Sequence, residues 1–233
     1  MLSVEHMAKM IDHSILLPGQ GDRELEQGVE IALKYNVWCV VPKPYQVTRV
    51  RPMLRGSDVK LCTTVSFPQG LQLPETKRYE AERAIDQGCH ELDMVINISA
   101  LKSGDYDYVE RDIHGVVAVA ARCNVPVKVI LETFLLTDEE KVMGCRLAEK
   151  AGAKFVKTST ATQPGGATVE DIRLMRATVG PNVVVKASGH VTDADKALAL
   201  YDAGARRYGT AFTVPILEGL RAKLEQQGAV AAR

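Results

Sequence analysis

The chain has 233 residues, a length that fits either one α/β barrel or two smaller domains. Hydrophobic residues make up 46% and charged residues 25% of the chain, close to the averages of globular proteins, which excludes a disordered or fibrous protein. Because 29 lysine and arginine residues balance 29 aspartate and glutamate residues, no net positive charge attracts nucleic acid or an anionic membrane, and neither is expected as a partner.

Short β-branched segments alternate with longer segments of helical periodicity, a pattern typical of consecutive βα units and a parallel sheet. In chain order, the eight predicted strands are Ala8–Asp12, Val37–Val41, Val59–Ser66, Glu91–Ile96, Val127–Glu132, Lys154–Thr158, Val183–Ala187 and Arg206–Gly209. Apolar residues at three-to-four spacing predict the helices Asp22–Tyr35, Pro44–Leu54, Pro74–Gln87, Tyr106–Arg122, Asp138–Lys150, Val169–Thr178, Asp193–Asp202 and Thr213–Gln226.

Residues at the predicted helix ends support these boundaries. Thr137 and Thr192 stand where helix N-caps belong, and Gly88, Gly152 and Gly204 stand where helices stop. An open doubly wound sheet is the main alternative, but positions 12–22 lack the Gly-x-Gly-x-x-Gly motif that such a sheet carries in its first βα turn. The sequence therefore predicts a single (β/α)8 barrel domain over residues 1–233.

The cysteines and histidines do not form a recognisable metal or disulfide pattern. The five cysteines are odd in number, lie far apart and never form a Cys-x-x-Cys pair. No two histidines stand two or four residues apart, the spacing that directs two imidazoles at one ion. With no apolar run of about 18–20 residues and no signal-peptide pattern at the start, we expect a cytoplasmic protein without a metal.

Charged residues recur at the ends of the predicted strands, where buried parallel strands are normally apolar. Asp93, Lys157 and Lys186 each follow an apolar run, and Lys128 lies in a fourth such strand. Because the carboxyl ends of barrel strands converge on one mouth, we expect Asp93, Lys157 and Lys186 to meet in one pocket. Lys128 comes early in its strand, so a structural role in the barrel interior and a role in the pocket both remain open.

Six segments, in this order and spacing, resemble the deoxyribose-phosphate aldolase family. They are Ile-Asp-His-Ser, Thr-Val-Ser-Phe-Pro-Gln-Gly, Glu-Leu-Asp-Met-Val-Ile-Asn-Ile, Val-Lys-Val-Ile-Leu-Glu-Thr, Val-Lys-Thr-Ser-Thr and Val-Lys-Ala-Ser-Gly. The resemblance implies a (β/α)8 barrel and an aldolase that needs no cofactor, a class I lyase that cleaves 2-deoxy-D-ribose 5-phosphate to acetaldehyde and D-glyceraldehyde 3-phosphate. Family members are often dimers, so a homodimer is expected.

When the family's motifs are matched to this sequence, the resemblance also implies which residues form the site. Lys157 would be the Schiff-base lysine, Lys186 its neighbouring cation and Asp93 the acidic member of the proton-handling group. The positions expected to contact the sugar phosphate substrate are Asp12, Cys39, Thr158, Ser188, Gly189, His190 and Gly209. For Asp12 a helix cap or structural ion pair is an equal alternative, and for Cys39 a buried thiol without substrate contact.

The chemistry explains why two neighbouring lysines are needed. A lysine amine stabilises the carbanion of an aldol reaction by forming an iminium with the carbonyl, and only the neutral amine attacks. With an ordinary pKa of ~10.4, few lysines are neutral at pH 7. Two unit charges ~4 Å apart repel by about 4 kcal/mol at an effective dielectric constant of ~20, so a second lysine lowers the pKa of the first substantially.

The phosphate-binding end departs from the family pattern. Gly189-His190 replaces Gly-Gly, Gly209-Thr210-Ala211-Phe212 replaces a segment with paired serines, and Ala161 replaces a glycine. Backbone N–H groups around Gly189 and Gly209, with His190, could still bind a phosphate. Two alternatives therefore stay open: a related lysine-dependent aldolase for a different, unphosphorylated aldehyde or sugar, and an inactive barrel that only binds a metabolite.

Overall fold

Eight parallel strands form one closed barrel in a computed structural model that describes residues 2–231, with the side chains of residues 2–228. Each strand pairs with the next in chain order, and the eighth pairs with the first. The strands are β1 Ile11–Ile15, β2 Cys39–Pro42, β3 Lys60–Val65, β4 Glu91–Val95, β5 Val127–Ile130, β6 Phe155–Lys157, β7 Val184–Ser188 and β8 Arg207–Thr210. The predicted barrel is confirmed, and the doubly wound sheet is excluded.

Helices surround the barrel, because the connections that return the chain from the end of one strand to the start of the next are helical, and further helices precede the first strand and follow the last. They are α1 Val4–Ala8, α2 Asp22–Lys34, α3 Val47–Met53, α4 Pro74–Asp86, α5 Ile98–Lys102, α6 Tyr106–Ala121, α7 Asp138–Lys150, α8 Val169–Thr178, α9 Ala194–Ala203 and α10 Thr213–Ala231. Between residues 2 and 231, no helix combines the length and the apolar character needed to span a membrane.

Several predicted boundaries differ from the structure by one to three residues, and local capping explains two of the differences. Strand β1 starts at Ile11 rather than Ala8, since the preceding segment Val4–Ala8 forms a helix that the Ser3 side chain caps. Helix α9 is capped by Asp193 rather than Thr192, because the Asp193 carboxylate accepts the N–H of Lys196 at 2.9 Å.

Other local signals act as predicted. Thr137 and Glu140 form a reciprocal capping box at the start of α7. Gly204 closes α9 in the left-handed conformation at φ 118°. Gly28, inside α2, lies against β1, where an added Cβ would come within 2.4 Å of the Ile15 side chain. A larger residue at this position would push the helix off the sheet.

The strand register determines which side chains meet inside the barrel. Lys157 on β6 lies directly opposite Lys186 on β7. Asp93 on β4 lies opposite Lys128 on β5. Because alternate residues of a barrel strand face inward, each of these four side chains enters the interior.

Candidate active site

A buried carboxylate, Asp93, lies at the centre of a cluster of lysines. Its Oδ2 accepts hydrogen bonds from Lys157 Nζ and Lys186 Nζ, both at 2.7 Å. Its Oδ1 accepts one from Lys128 Nζ at 2.8 Å. The three residues that the sequence assigns to catalysis are therefore in direct contact, and Lys128 joins them from the barrel interior. Lys157 alone in this cluster retains some exposure, at 3%, whereas the other three residues are at 0%.

Asp12 is a second carboxylate of the same cluster. Its Oδ2 lies 2.5 Å from Lys186 Nζ, and its Oδ1 accepts a hydrogen bond from Arg207 at 3.0 Å. Asp12 is therefore a buried ion-pair partner of Lys186 rather than a helix cap. Contact of Asp12 with a substrate stays a prediction.

Two members of the interior network were missed at the level of sequence. Glu91 Oε2 lies 2.6 Å from Lys128 Nζ and 3.1 Å from Arg207. Its Oε1 accepts a hydrogen bond from Trp38 Nε1 at 2.8 Å. The Arg207 guanidinium stacks between Trp38 and Phe155, 4.6 and 5.0 Å from the ring centroids. The available signal was the period of two, since Glu91 precedes Asp93 by two residues and so faces the same side of its strand.

The environments of the lysines drive their protonation in different directions. Burial is the largest cause that lowers the pKa of Lys157, the charge of Lys186 adds to it, and Asp93 opposes both. Burial also acts to lower the pKa of Lys186, but Asp12 and Asp93 together raise it above its ordinary value. Burial acts in the same way on Lys128, where the neighbouring carboxylates raise the pKa well above that value. Lys157 is thus the lysine of this cluster that is most readily neutral.

Asp93 remains ionised despite its burial. Burial alone would raise its pKa, but Lys128, Lys157 and Lys186 hold the pKa well below its usual range. A carboxylate that accepts hydrogen bonds from two lysines at one oxygen can pass a proton between them. Asp93 therefore has the geometry of a proton-handling group.

Two cysteines lie within the same interior. Cys62 Sγ is 3.3 Å from both Asp93 Oδ1 and Lys128 Nζ. Cys39 stands beside Asp12 in the strand register, and burial, followed by the contact with Cys62, raises the pKa of its thiol well above the ordinary value. Cys39 is thus a buried, protonated thiol, and its contact with a substrate stays a prediction.

Three potential metal ligands also come together in this region. The ligand atoms of Asp12, Cys39 and Glu91 lie within 4.8 Å of one another. Lys128 and Arg207 contact these carboxylates, so basic side chains occupy the positions that a metal cation would take. The set fits a metal ion poorly.

Thr158 and Ser188 join the ends of β6 and β7. Thr158 Oγ1 donates to the Ser188 carbonyl and accepts the Ser188 N–H, each at 3.0 Å. Ser188 Oγ donates to the Ser159 carbonyl at 2.5 Å. These hydroxyls position the strand ends beside the lysines. At Gly209 an added Cβ would lie 3.0 Å from Ser188 Cβ and 3.2 Å from Lys186 Cε, so a side chain here would crowd the cluster.

The loops expected to bind a phosphate have an unusual backbone. Gly189 and His190 are consecutive residues with φ of 79° and 55°, and Ala161 has φ of 67°. Alanine thus adopts a left-handed conformation that glycine would accept without strain. The N-terminus of α9, which follows His190, is already capped by the Asp193 carboxylate. This helix start is therefore a poor site for an anion.

A further buried carboxylate, Glu132, lies near the mouth. It has φ of 59°, and its Oε2 accepts a hydrogen bond from the Thr160 N–H at 3.2 Å and another from the Thr160 hydroxyl. Its Oε1 is buried without a hydrogen-bond partner among the side chains and backbone of the described residues. Burial raises the pKa of Glu132. The sequence offered no signal for this residue beyond its position at a strand end.

The chain matches known aldolases over nearly its whole length. A family model described as DeoC/LacD family aldolase matches residues 6–230. The chain is 52% identical over 211 residues to the deoxyribose-phosphate aldolase of Enterococcus faecalis, covering 91% of this chain and 96% of that protein. It is 48% identical over 217 residues to that of Thermococcus gammatolerans, covering 92% and 96%.

A solved structure agrees in fold as well as in sequence. The tetrameric deoxyribose phosphate aldolase from Aeropyrum pernix matches with a TM-score of 0.88 and 30% sequence identity. The match covers 95% of this chain and 93% of that chain. The similarity to this relative therefore extends over nearly the whole of both chains.

Proposed function

The chain belongs to the DeoC/LacD family of aldolases, and from this premise we propose that it cleaves 2-deoxy-D-ribose 5-phosphate into acetaldehyde and D-glyceraldehyde 3-phosphate. The observation that carries the proposal is the contact of Lys157 and Lys186 with one oxygen of Asp93. A lysine held beside a second lysine and a carboxylate suits a class I aldolase, which is a lyase that forms a Schiff base through a lysine amine.

The first stage forms a covalent bond between Lys157 and the substrate. The neutral Lys157 amine attacks C1 of the open-chain sugar, the nitrogen loses one proton and the carbonyl oxygen takes up one, which gives a neutral carbinolamine. A second proton is taken up when the hydroxyl leaves. Loss of this hydroxyl as water leaves an iminium at C1. Asp93 accepts hydrogen bonds from both Lys157 and Lys186, so we assign to this carboxylate the passing of protons between the two lysines at these steps.

The second stage breaks the carbon–carbon bond. The C3 hydroxyl loses its proton, the C2–C3 electron pair moves to the iminium, and glyceraldehyde 3-phosphate leaves. The remaining enamine takes a proton at C2, and water then hydrolyses the iminium to release acetaldehyde and free Lys157. No electrons leave the system, so the reaction as written needs no external oxidant or reductant.

The phosphate is assigned to the start of α10 rather than to that of α9. Helix α10 begins at Thr213, directly after β8, and its first turn contains no acidic residue. The first turn of α9 contains Asp195 and is capped by Asp193. Backbone N–H groups near a helix start bind phosphate without serine hydroxyls.

Borohydride trapping tests the covalent step. Borohydride added with acetaldehyde should reduce the imine and leave an ethyl group on the peptide that contains Lys157. Lys157→Arg should abolish the label, because a guanidinium stays protonated in a protein. Lys60→Arg, a change at the exposed start of β3, is the matched control and should label normally. A label on Lys186 or Lys128 would overturn the assigned roles.

A different aldehyde substrate is a second candidate, favoured by one observation. Ala211 and the exposed Phe212 stand where the family carries serines, so this end of the pocket suits an apolar or uncharged group. The first candidate predicts that inorganic phosphate competes with the substrate at millimolar concentration. Absence of competition, with equal rates for phosphorylated and unphosphorylated acceptors, would favour the second.

The compartment and assembly are also part of the proposal. We assign the enzyme to carbohydrate catabolism in the cytoplasm, where a soluble sugar phosphate is available. A homodimer remains the expected assembly, although the Aeropyrum pernix relative is described as a tetramer. Sedimentation of the purified protein distinguishes the two.

A further inference from the structure

The barrel interior contains more basic groups than carboxylates. All seven side chains are buried, and each takes part in an ion pair within the set. Within the described residues, the carboxylates are Asp12, Glu91 and Asp93, and the basic groups are Lys128, Lys157, Lys186 and Arg207. If every group were charged, one positive charge would have no counter-charge. Because an uncompensated buried charge is costly, one lysine of this network should be neutral.

The contacts decide which lysine lacks the counter-charge. Lys186 lies within 2.7 Å of two carboxylates, Asp12 and Asp93, and Lys128 lies within 2.8 Å of Glu91 and Asp93. Lys157 is in contact with Asp93, which it shares with both other lysines. Lys157 is therefore the lysine whose charge is least compensated.

Glu91 and Arg207 complete this arrangement from the N-terminal end of the barrel. Glu91 neutralises Lys128, and Arg207 occupies Asp12 Oδ1 and Glu91 Oε2. A chain of ion pairs runs from Glu91 through Lys128 to Asp93, which contacts Lys157. The charges of Glu91 and Arg207 therefore act on Lys157 through this network, without direct contact. The stacking of Arg207 between two aromatic rings and the hydrogen bond of Trp38 to Glu91 hold both groups in place.

We propose that Glu91 and Arg207 are positioning residues that set the charge balance of the barrel interior, so that Lys157 loses its proton in preference to Lys128 and Lys186. The inference rests on the proposed role of Lys157 as the Schiff-base lysine. It adds that this role depends on two residues at the far end of the barrel, which act through the network and not on the substrate.

The remaining titratable groups that face the cluster do not alter this count. Burial raises the pKa of the Cys39 thiol. Glu132 lies outside the ion-pair set, because its Oε2 accepts hydrogen bonds from Thr160 rather than from a lysine or arginine of the network. Each strand of the barrel contributes to the set of facing groups: Asp12, Cys39, Cys62, Glu91, Asp93, Lys128, Lys157, Lys186 and Arg207, with Glu132 at the mouth.

Removing the charge of Glu91 and removing the charge of Arg207 should shift the pKa of Lys157 in opposite directions. Replacing Glu91 with glutamine removes a negative charge and should lower the pKa of Lys157. Replacing Arg207 with glutamine removes a positive charge and should raise it. At a separation of ~10 Å and an effective dielectric constant of ~20, each change corresponds to a shift of about one pH unit. A residue with a merely structural role would not produce opposite shifts.

The experiment measures the rate of borohydride trapping at Lys157, and kcat/KM, as functions of pH in the whole enzyme. We expect the acid limb to move down by about one unit in Glu91→Gln, up by about one unit in Arg207→Gln, and back towards wild type in the double variant. Arg207→Lys retains the charge and should rescue the wild-type profile. Glu82→Gln, an exposed change on α4, is the control and should leave the profile unmoved.

Shifts of the same sign in both variants, or no shift in folded protein, would overturn the inference. If Arg207→Gln does not fold, the comparison of Glu91→Gln with Arg207→Lys tests the inference, because only Glu91→Gln should shift the pH profile. Failure of the proposed function is recognised separately, since wild-type protein would then show no label on Lys157 at any pH.

Discussion

Replacing Lys186 with methionine tests how the neighbouring charge sets the reactivity of Lys157. Methionine keeps the approximate length of the side chain and removes its charge. Lys157 Nζ and Lys186 Nζ each lie 2.7 Å from the same oxygen of Asp93, so the two nitrogens are roughly 5 Å apart or closer. Without Lys186, the charge of Asp93 also acts more strongly on Lys157.

The size of the effect follows from this separation. Two unit charges roughly 5 Å apart repel by about 3 kcal/mol at an effective dielectric constant of ~20, which corresponds to roughly two pKa units. Removal of Lys186 should therefore raise the pKa of Lys157 by about this amount. Burial, the larger cause of the lowered pKa, remains in the variant, so the value should not return fully to that of a free lysine.

The assay is the pH dependence of kcat/KM and of borohydride trapping with acetaldehyde. In Lys186→Met the acid limb should move upward by roughly two pH units, and trapping at Lys157 should persist at high pH. Lys186→Arg is the matched control, because it keeps the charge and should keep the position of the limb. An unchanged limb in Lys186→Met, with the fold intact, would refute the electrostatic account.

Three further predictions concern packing at the site, backbone strain in a loop and a buried ion pair between α4 and α6. Gly209→Ala should lower kcat at least about tenfold in a steady-state assay while the protein stays folded, since the new Cβ meets the Lys186 side chain; unchanged kcat would contradict this. Ala161→Gly should raise the free energy of unfolding in urea by about 0.5–1 kcal/mol by relieving the left-handed conformation, and a loss of stability would count against that strain. Lys77→Met should lower the free energy of unfolding by about 3–5 kcal/mol, because it leaves Asp112 buried without the partner that lies 2.5 Å away. Replacing both Lys77 and Asp112 with apolar residues should recover most of that loss in the same urea titration, and failure to recover it would argue against an unpaired charge as the cause.

Much of the fold was predictable because its signals are local. The alternation of β-branched runs with helical periodicity depends on neighbouring residues, and eight such repeats leave few ways to bury every strand. Where the local signals competed, the prediction was wrong. The first strand was predicted to begin at Ala8, but Ser3 caps the segment Val4–Ala8 as a helix, so Ala8 belongs to that helix. Thr192 and Asp193 are both good capping residues, and only the backbone of the folded loop selects Asp193.

The chain itself determined the closed barrel and the meeting of Asp93, Lys157 and Lys186, since equal depth on parallel strands brings side chains to one mouth. Tertiary structure alone decided the further partners. Glu91 and Arg207 are 116 residues apart and pair because β8 closes onto β1, which places Arg207 between carboxylates of two strands. Which lysine has the least compensated positive charge also depends on how many carboxylates surround each lysine. That number follows from the closure of the barrel and from burial, because distant side chains share a low-dielectric interior only after the strands have paired.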